Sequence, residues 1–206
     1  MKTLDCVILA AGESKRFGKC KILESIDGKS LILRTLTLIN HLGINNGYIV
    51  TGAFSVELDN DPALTLYLER HRNVKLRYCK DWKRGMGHSL GYGVQQSKAD
   101  ALLVLLCDQV LLTAADIKKL INAHHQAPNT IVCAQYGETD GEIYGVPAIF
   151  PKHYFNELSA CIGDQGARRI IEKNKDQCTA VTLDNAKLDI DTPAELAKAA
   201  MLLRAK

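Results

Sequence analysis

Short apolar runs alternate along the chain with stretches in which apolar residues recur at helical spacing. The runs predict strands over residues 5–9, 47–51, 74–79, 101–106, 130–134, 147–150 and 179–183. The spaced stretches predict helices over 31–41, 62–71, 89–96, 114–125, 152–159, 167–173 and 193–203. Such alternation specifies an α/β fold with a mainly parallel sheet, because each crossover helix returns the chain over one face. The run from Ala101 to Leu106 is apolar at every position, as a central strand covered on both faces requires. Two helix starts carry capping chemistry. Thr113 stands three residues before Asp116, a capping box with Asp in place of Glu. Thr192, Pro193 and Glu195 supply an N-cap, a first-turn proline and a reciprocal carboxylate. The Gly, Asp, Glu and Thr residues of 137–145 read as an exposed loop.

Composition narrows the class. The chain has 206 residues, enough for one domain with a sizeable core. Hydrophobic residues make up 47% and charged residues 24%, the balance of a soluble globular protein. A net charge of +3, without a Lys/Arg block or interleaved aromatics, argues against a nucleic-acid partner. The longest apolar run, 101–107, is far too short to span a bilayer. Charged Asp5 interrupts the start of the chain, so neither a signal peptide nor a membrane partner is expected. The seven cysteines are odd in number and contain no C-x-x-C. That argues against a zinc site or disulfide framework and for reduced thiols in the cytoplasm.

Ligands of open α/β sheets sit beyond the carboxyl ends of the strands. The first strand runs into Leu9-Ala10-Ala11-Gly12-Glu13-Ser14-Lys15-Arg16-Phe17-Gly18, with Lys21 just beyond. Gly12 and Gly18 let the backbone approach a phosphate, and the amides of such a loop can point at an anion. Arg16 can fork across two oxygens while Lys21 adds a compact charge. The segment reads as a triphosphate grip. It is not a P-loop, since Leu23 stands where Gly28-Lys29-Ser30 would need a glycine, and no G-x-G-x-x-G follows the strand.

The fourth strand delivers Cys107-Asp108-Gln109 to the same edge, and the last delivers Asp189-Ile190-Asp191. A carboxylate ending a buried strand is costly unless paired or metal-bound. Mg²⁺ favours one or two carboxylates plus phosphate oxygens and water. Asp108 and Asp191 are therefore the candidate ligands, with Asp189 beside them; a helix cap or a loop ion pair is the plainer role for either. Gly85-Met86-Gly87-His88-Ser89 opens a helix whose start favours negative charge. Gly163-Asp164-Gln165-Gly166-Ala167-Arg168-Arg169 could hold a second anion or be a loop and a solvated helix face. Trp82 reads as packing. His124 and His125 fall late in a helix, where cations suit its dipole, and carry no assigned chemistry.

Together these motifs resemble the MobA-like nucleotidyltransferases, and among them the molybdenum cofactor cytidylyltransferases. Five segments carry the resemblance: Leu9 to Gly18 with Lys21, Gly85 to Leu90, Cys107 to Gln109, Gly163 to Arg168 and Asp189 to Pro193. The resemblance implies a single-domain three-layer α/β/α sandwich with a Rossmann-like, mainly parallel sheet of the nucleotide-diphospho-sugar transferase type. It implies Mg²⁺-dependent transfer of CMP from CTP to the terminal phosphate of molybdenum-bearing molybdopterin, with release of pyrophosphate. A recipient molybdoenzyme is a further implied partner. Ala10-Ala11-Gly12 resembles the cytidylyl form, whereas guanylyl relatives usually show Ala-Gly-Gly. By the same resemblance Arg16, Lys21 and Asp108 are catalytic, and Asp108 and Asp191 hold the metal. Leu9, Ala10, Ala11, Gly12, Arg16, Lys21, Gly85, Gly87 and Ser89 bind the nucleotide. Gln109, Tyr144, Gly145, Pro147, Gly163, Asp164, Gly166 and Arg168 face the acceptor. Other readings are the same chemistry on a sugar or alditol phosphate, a non-catalytic cofactor carrier or insertion chaperone, and a nicotinamide-dependent oxidoreductase. The missing dinucleotide fingerprint argues against the last.

Overall fold

A computed structural model describes residues 2–137 and 142–205. The chain opens with β1 (Leu4–Ala10), then a small hairpin of β2 (Ser25–Ile26) and β3 (Lys29–Ser30), then α1 (Leu31–Ile39). Next come β4 (Gly47–Thr51), α2 (Ser55–Asp59), α3 (Pro62–Arg70), β5 (Val74–Tyr78) and α4 (Met86–Val94). β6 (Ala101–Leu106), α5 (Ala114–Gln126), β7 (Val132–Tyr136) and β8 (Ile143–Pro151) follow. The chain ends with α6 (Phe155–Ser159), α7 (Arg168–Lys173), β9 (Thr179–Thr182) and α8 (Pro193–Arg204).

Seven strands form one sheet in the order β5-β4-β1-β6-β8-β7-β9. β8 alone runs against its neighbours, antiparallel to both β6 and β7. Alternate residues of the central strands feed two cores. Cys6, Ile8, Leu103 and Leu105 pack with Ile32 and Leu36 of α1, Leu64 of α3 and Leu120 of α5. Val7, Leu102 and Val104 pack with Leu90 of α4, Leu158 of α6 and Ile170 of α7. Helices therefore cover both faces, which is why β6, and β1 apart from the hydrogen-bonded Asp5, are apolar rather than alternating. Gly93 brings α4 close to the sheet, since a Cβ there would lie 2.7 Å from Val7 Cγ1. A third cluster matters most for function. Phe17, Val110, Leu111 and Ile190 pack with Ala199 of α8, tying the segments after β1 and β6 to one helix. Among the described residues no helix is long and apolar enough to cross a membrane.

Both capping boxes form, Thr113 with Asp116 and Thr192 with Glu195. Other expectations shift. α4 begins at Met86, three residues before the predicted start. β8 begins at Ile143, inside the stretch read as an exposed loop, of which 138–141 lie outside the described residues. The predicted helix 152–159 starts as a 3-10 turn and is α-helical only over Phe155–Ser159. β2 and β3 were not predicted, because two-residue strands show no alternation. Their signal was the Asp27-Gly28 turn, with φ of 50° and 76°, the type I′ geometry of a tight hairpin. His124 is not a surface cation serving the helix dipole. It is 4% exposed, and desolvation, then His125 and Lys2, hold its imidazole below the usual histidine value.

Candidate active site

A cavity of about 730 Å³ opens where β1 and β6 end. The loop after β1 forms its base. The N–H groups of Phe17 and Gly18 both donate to the Ser14 carbonyl, at 2.9 and 3.0 Å. That turn drives Phe17 into the cluster on α8 and throws Arg16 outward, its side chain 71% exposed. Gly12 lines the cavity, with open space where a Cβ would stand.

Four charged side chains meet at the head of the cavity. The Lys21 ammonium donates to Asp108 Oδ2 at 2.7 Å, Asp191 Oδ1 at 3.0 Å and the Ile190 carbonyl at 2.7 Å. Arg16 Nη2 donates to Asp191 Oδ2 at 2.6 Å. Burial works against the charge on Lys21, but Asp108 and Asp191 outweigh it and raise its pKa above the usual lysine value. Asp189 is solvent-exposed as a residue, yet protein atoms crowd its carboxyl. Desolvation, then the charges of Asp108 and Asp191, push it up to about 6 against the pull of Lys21.

Strand β9 does not itself deliver Asp189-Ile190-Asp191, because it stops at Thr182. A 3-10 turn intervenes, and the Ile190 N–H then donates to the Asp108 carbonyl at 3.1 Å. Buried Ile190 anchors the segment from below. Asp108 Oδ1 is buried and has no hydrogen-bond partner. A bare carboxylate oxygen beside a second carboxylate fits a hard divalent cation. Among the described residues no group of three or more His, Cys, Asp or Glu could hold a metal. An ion here would complete its shell with water and phosphate oxygens, as Mg²⁺ does.

Leu9, Ala10, Ala11, Gly12, Arg16, Lys21, Gly85, Ser89, Asp108, Asp164 and Asp191 all line this cavity. Gly87 stands behind the wall. Its N–H donates to the Gly163 carbonyl at 2.7 Å, and a Cβ there would lie 2.8 Å from the Ile162 nitrogen. Two glycine motifs distant in sequence are thus one interlocked wall. The other acceptor candidates lie outside the cavity. Gln109 is buried, and its Nε2 donates to the Val146 and Ala186 carbonyls, both at 3.1 Å. Val146–Pro147 is a cis peptide. The Tyr144 hydroxyl donates to Glu142, and its ring faces the Lys175 ammonium at 4.5 Å. Gly145 faces the Tyr136 hydroxyl, Gly166 backs onto the Met86 sulfur, and Arg168 pairs with Glu172 at 2.7 Å.

Phe54, Trp82, Lys83 and Met86 also line the cavity and were not among the site residues read from the sequence. Phe54 gave no signal beyond following a strand end. Trp82 did, as the only tryptophan, placed just before the glycine loop. Its ring rests on the end of β4, since a Cβ on Gly52 would lie 2.7 Å from Trp82 Cγ and 2.6 Å from the Ala11 carbonyl oxygen.

A sheet with one reversed strand, a small-residue loop and a cation–carboxylate cluster at its carboxyl edge defines a nucleotidyltransferase-type protein. Residues 6–178 match the MobA-like NTP transferase domain, and the chain belongs to that family. Its relatives include the purine catabolism protein PucB of Bacillus subtilis, 29% identical over 196 residues and 92% of each chain. Rv0371c of Mycobacterium tuberculosis superposes with a TM-score of 0.81 at 21% identity, covering 97% of this chain and 98% of that one. A manganese complex of Rv0371c gives 0.76 at 20% identity, covering 97% and 98%. A CMP:2-keto-3-deoxy-manno-octonic acid synthetase solved with CTP gives 0.74 at 13% identity, covering 98% and 99%. These structures share the nucleotide-diphospho-sugar transferase fold.

Proposed function

We propose that the protein transfers CMP from CTP to the terminal phosphate of molybdenum-bearing molybdopterin, releasing pyrophosphate. The observation that carries this is the cluster of Arg16, Lys21, Asp108 and Asp191 at the head of the cavity, with Asp108 Oδ1 left unpartnered. A CTP-bound and a manganese-bound fold neighbour support a nucleoside triphosphate and a divalent cation. Ala11, in place of the glycine of guanylyl relatives, supports CTP. The purine-catabolism name of one relative suggests a molybdoenzyme acting on purines as the recipient.

Phosphoryl-type transfer needs positioning and charge neutralisation more than covalent chemistry. The backbone of Ala10, Ala11 and Gly12 cradles the triphosphate. Asp108 and Asp191 would hold Mg²⁺, which neutralises phosphate charge when bound. The acceptor phosphate, with its second ionisation near pH 6, is largely ionised at neutral pH and requires no strong base. Its oxygen attacks the α-phosphorus in line as the bond to the β-phosphate oxygen breaks. Arg16 and Lys21 meet the charge that develops on the leaving pyrophosphate. Gly85, Met86 and Ser89 shape the base end, with Phe54 and Trp82 closing it. Asp164 faces the acceptor from the cavity wall, while Gln109 acts from behind by fixing the Val146 carbonyl.

The test is pyrophosphate release with Mg²⁺ and molybdenum-loaded molybdopterin, offering CTP, GTP, ATP and UTP separately. Release with CTP alone is expected. Release with GTP alone would overturn the reading of Ala11. Release only with a sugar or alditol phosphate would replace the acceptor. Pterin binding without release would leave a carrier.

A further inference from the structure

We propose that Lys21 is a place-holder for the divalent cation: with no nucleotide bound its ammonium bridges Asp108 and Asp191, and the metal gains those carboxylates only when triphosphate draws the lysine away. This rests on the nucleotidyltransferase reading only for what does the drawing. An ammonium has three donors, and all three are engaged, by Asp108 Oδ2, Asp191 Oδ1 and the Ile190 carbonyl. The Lys21 side chain is 14% exposed, so water competes weakly for it. The residue that should grip a phosphate therefore has no free donor before one arrives. Asp191 is no more available, since Lys21 holds one of its oxygens and Arg16 the other. Asp108 Oδ1 alone is unpartnered, and it is buried. A metal ion approaching the nucleotide-free cluster finds three carboxylate oxygens held by cations and the fourth buried, and meets the repulsion of two fixed cations. The two side-chain cations neutralise the two carboxylates they hold, which leaves only the Asp189 carboxyl beside them to draw further positive charge. Triphosphate reverses this. Its negative charge attracts Lys21 and Arg16, which frees up to three further carboxylate oxygens for the ion that arrives with it. Metal and nucleotide then bind with strong mutual dependence, and free metal alone binds poorly.

The experiment is Mn²⁺ binding to the nucleotide-free protein, read by electron paramagnetic resonance, for the wild type and Lys21→Met. Methionine keeps an unbranched chain one atom shorter and removes the charge. Because a unit charge within a few ångströms is lost, Lys21→Met should bind Mn²⁺ about tenfold tighter or more. Adding Asp108→Asn to Lys21→Met should abolish the gain. Equal or weaker Mn²⁺ binding by Lys21→Met, as a purely structural salt bridge predicts, overturns the proposal. A gain that survives Asp108→Asn overturns it too, because the ion then sits elsewhere. Should Lys21→Met lack a cooperative unfolding transition, the same comparison is made with Lys21→Gln, which keeps a donor toward the carboxylates. Tighter Mn²⁺ in the variant of a protein that releases no pyrophosphate from any nucleotide would sink the transferase reading and leave the place-holder standing.

Discussion

Asp108→Asn separates a catalytic carboxylate from a structural one. The side chain is 19% exposed and accepts from Lys21 at 2.7 Å. Losing one charge-assisted hydrogen bond costs about 1.5–3 kcal/mol. Three features shrink that figure here. The asparagine carbonyl oxygen still accepts from Lys21. The ammonium keeps Asp191 Oδ1 and the Ile190 carbonyl. The Asp189 carboxyl, pushed up partly by the Asp108 charge, is relieved. The net loss should be about 1 kcal/mol, or about 2–4 °C in Tm for a chain of this size. On the proposed function the reaction would lose a metal ligand and a fixed charge together, which should cost about 10²–10³-fold in kcat. The assay is the initial rate of pyrophosphate release at saturating CTP, beside a thermal melt of the same preparation. A kcat within about threefold of wild type would refute the metal role. Lost activity with an equally collapsed melt would show that Asp108 holds the fold rather than the metal.

Other expectations follow from single contacts. Gly85 sits at φ 106°, and a Cβ there would lie 2.5 Å from the Gly163 carbonyl carbon; Gly85→Ala should cost about 3 kcal/mol or more by denaturant titration, and a loss below about 1 kcal/mol would show that the two loops are not interlocked. Burial lowers the His124 pKa, so between its lowered native value and the unfolded value of 6.5 the unfolded chain binds more protons, and stability is lost as the pH drops through that window. His124→Gln should flatten that part of the stability–pH curve, and an unchanged slope would place the acid sensitivity elsewhere. Gln109→Leu strands the Val146 and Ala186 carbonyls and should cost about 2–4 kcal/mol with KM for CTP unchanged; a KM effect without a stability effect would put Gln109 in contact with substrate.

Much of the architecture was legible because burial imposes periodicity. β6 read correctly as a central strand, since a strand covered on both faces is apolar at every position. Thr113 and Thr192 marked their helix starts because a cap needs a side-chain oxygen and, three residues on, a carboxylate. The loop after β1 was legible as a candidate triphosphate site for a similar local reason: small residues, two glycines and four cations fall within a few positions of one strand end. The reversed direction of β8 was not, because alternation looks the same in either direction. The hairpin of β2 and β3 was too short to show a pattern at all.

The site divides along the same line. The residues alone determined which groups the chain brings, namely a small-residue loop suited to an anion, Arg16 and Lys21, and carboxylates at two strand-edge segments. They could not determine that Lys21 would lie between Asp108 and Asp191 rather than point at solvent. That depends on Ile190 and Phe17 packing with α8, which draws segments from both ends of the chain to one edge. Nor could they place Phe54 and Trp82 on the cavity wall, or turn Gln109 inward to the Val146 and Ala186 carbonyls. Local chemistry follows from neighbouring residues, whereas which donor meets which acceptor is decided by long-range packing that no short window of sequence contains.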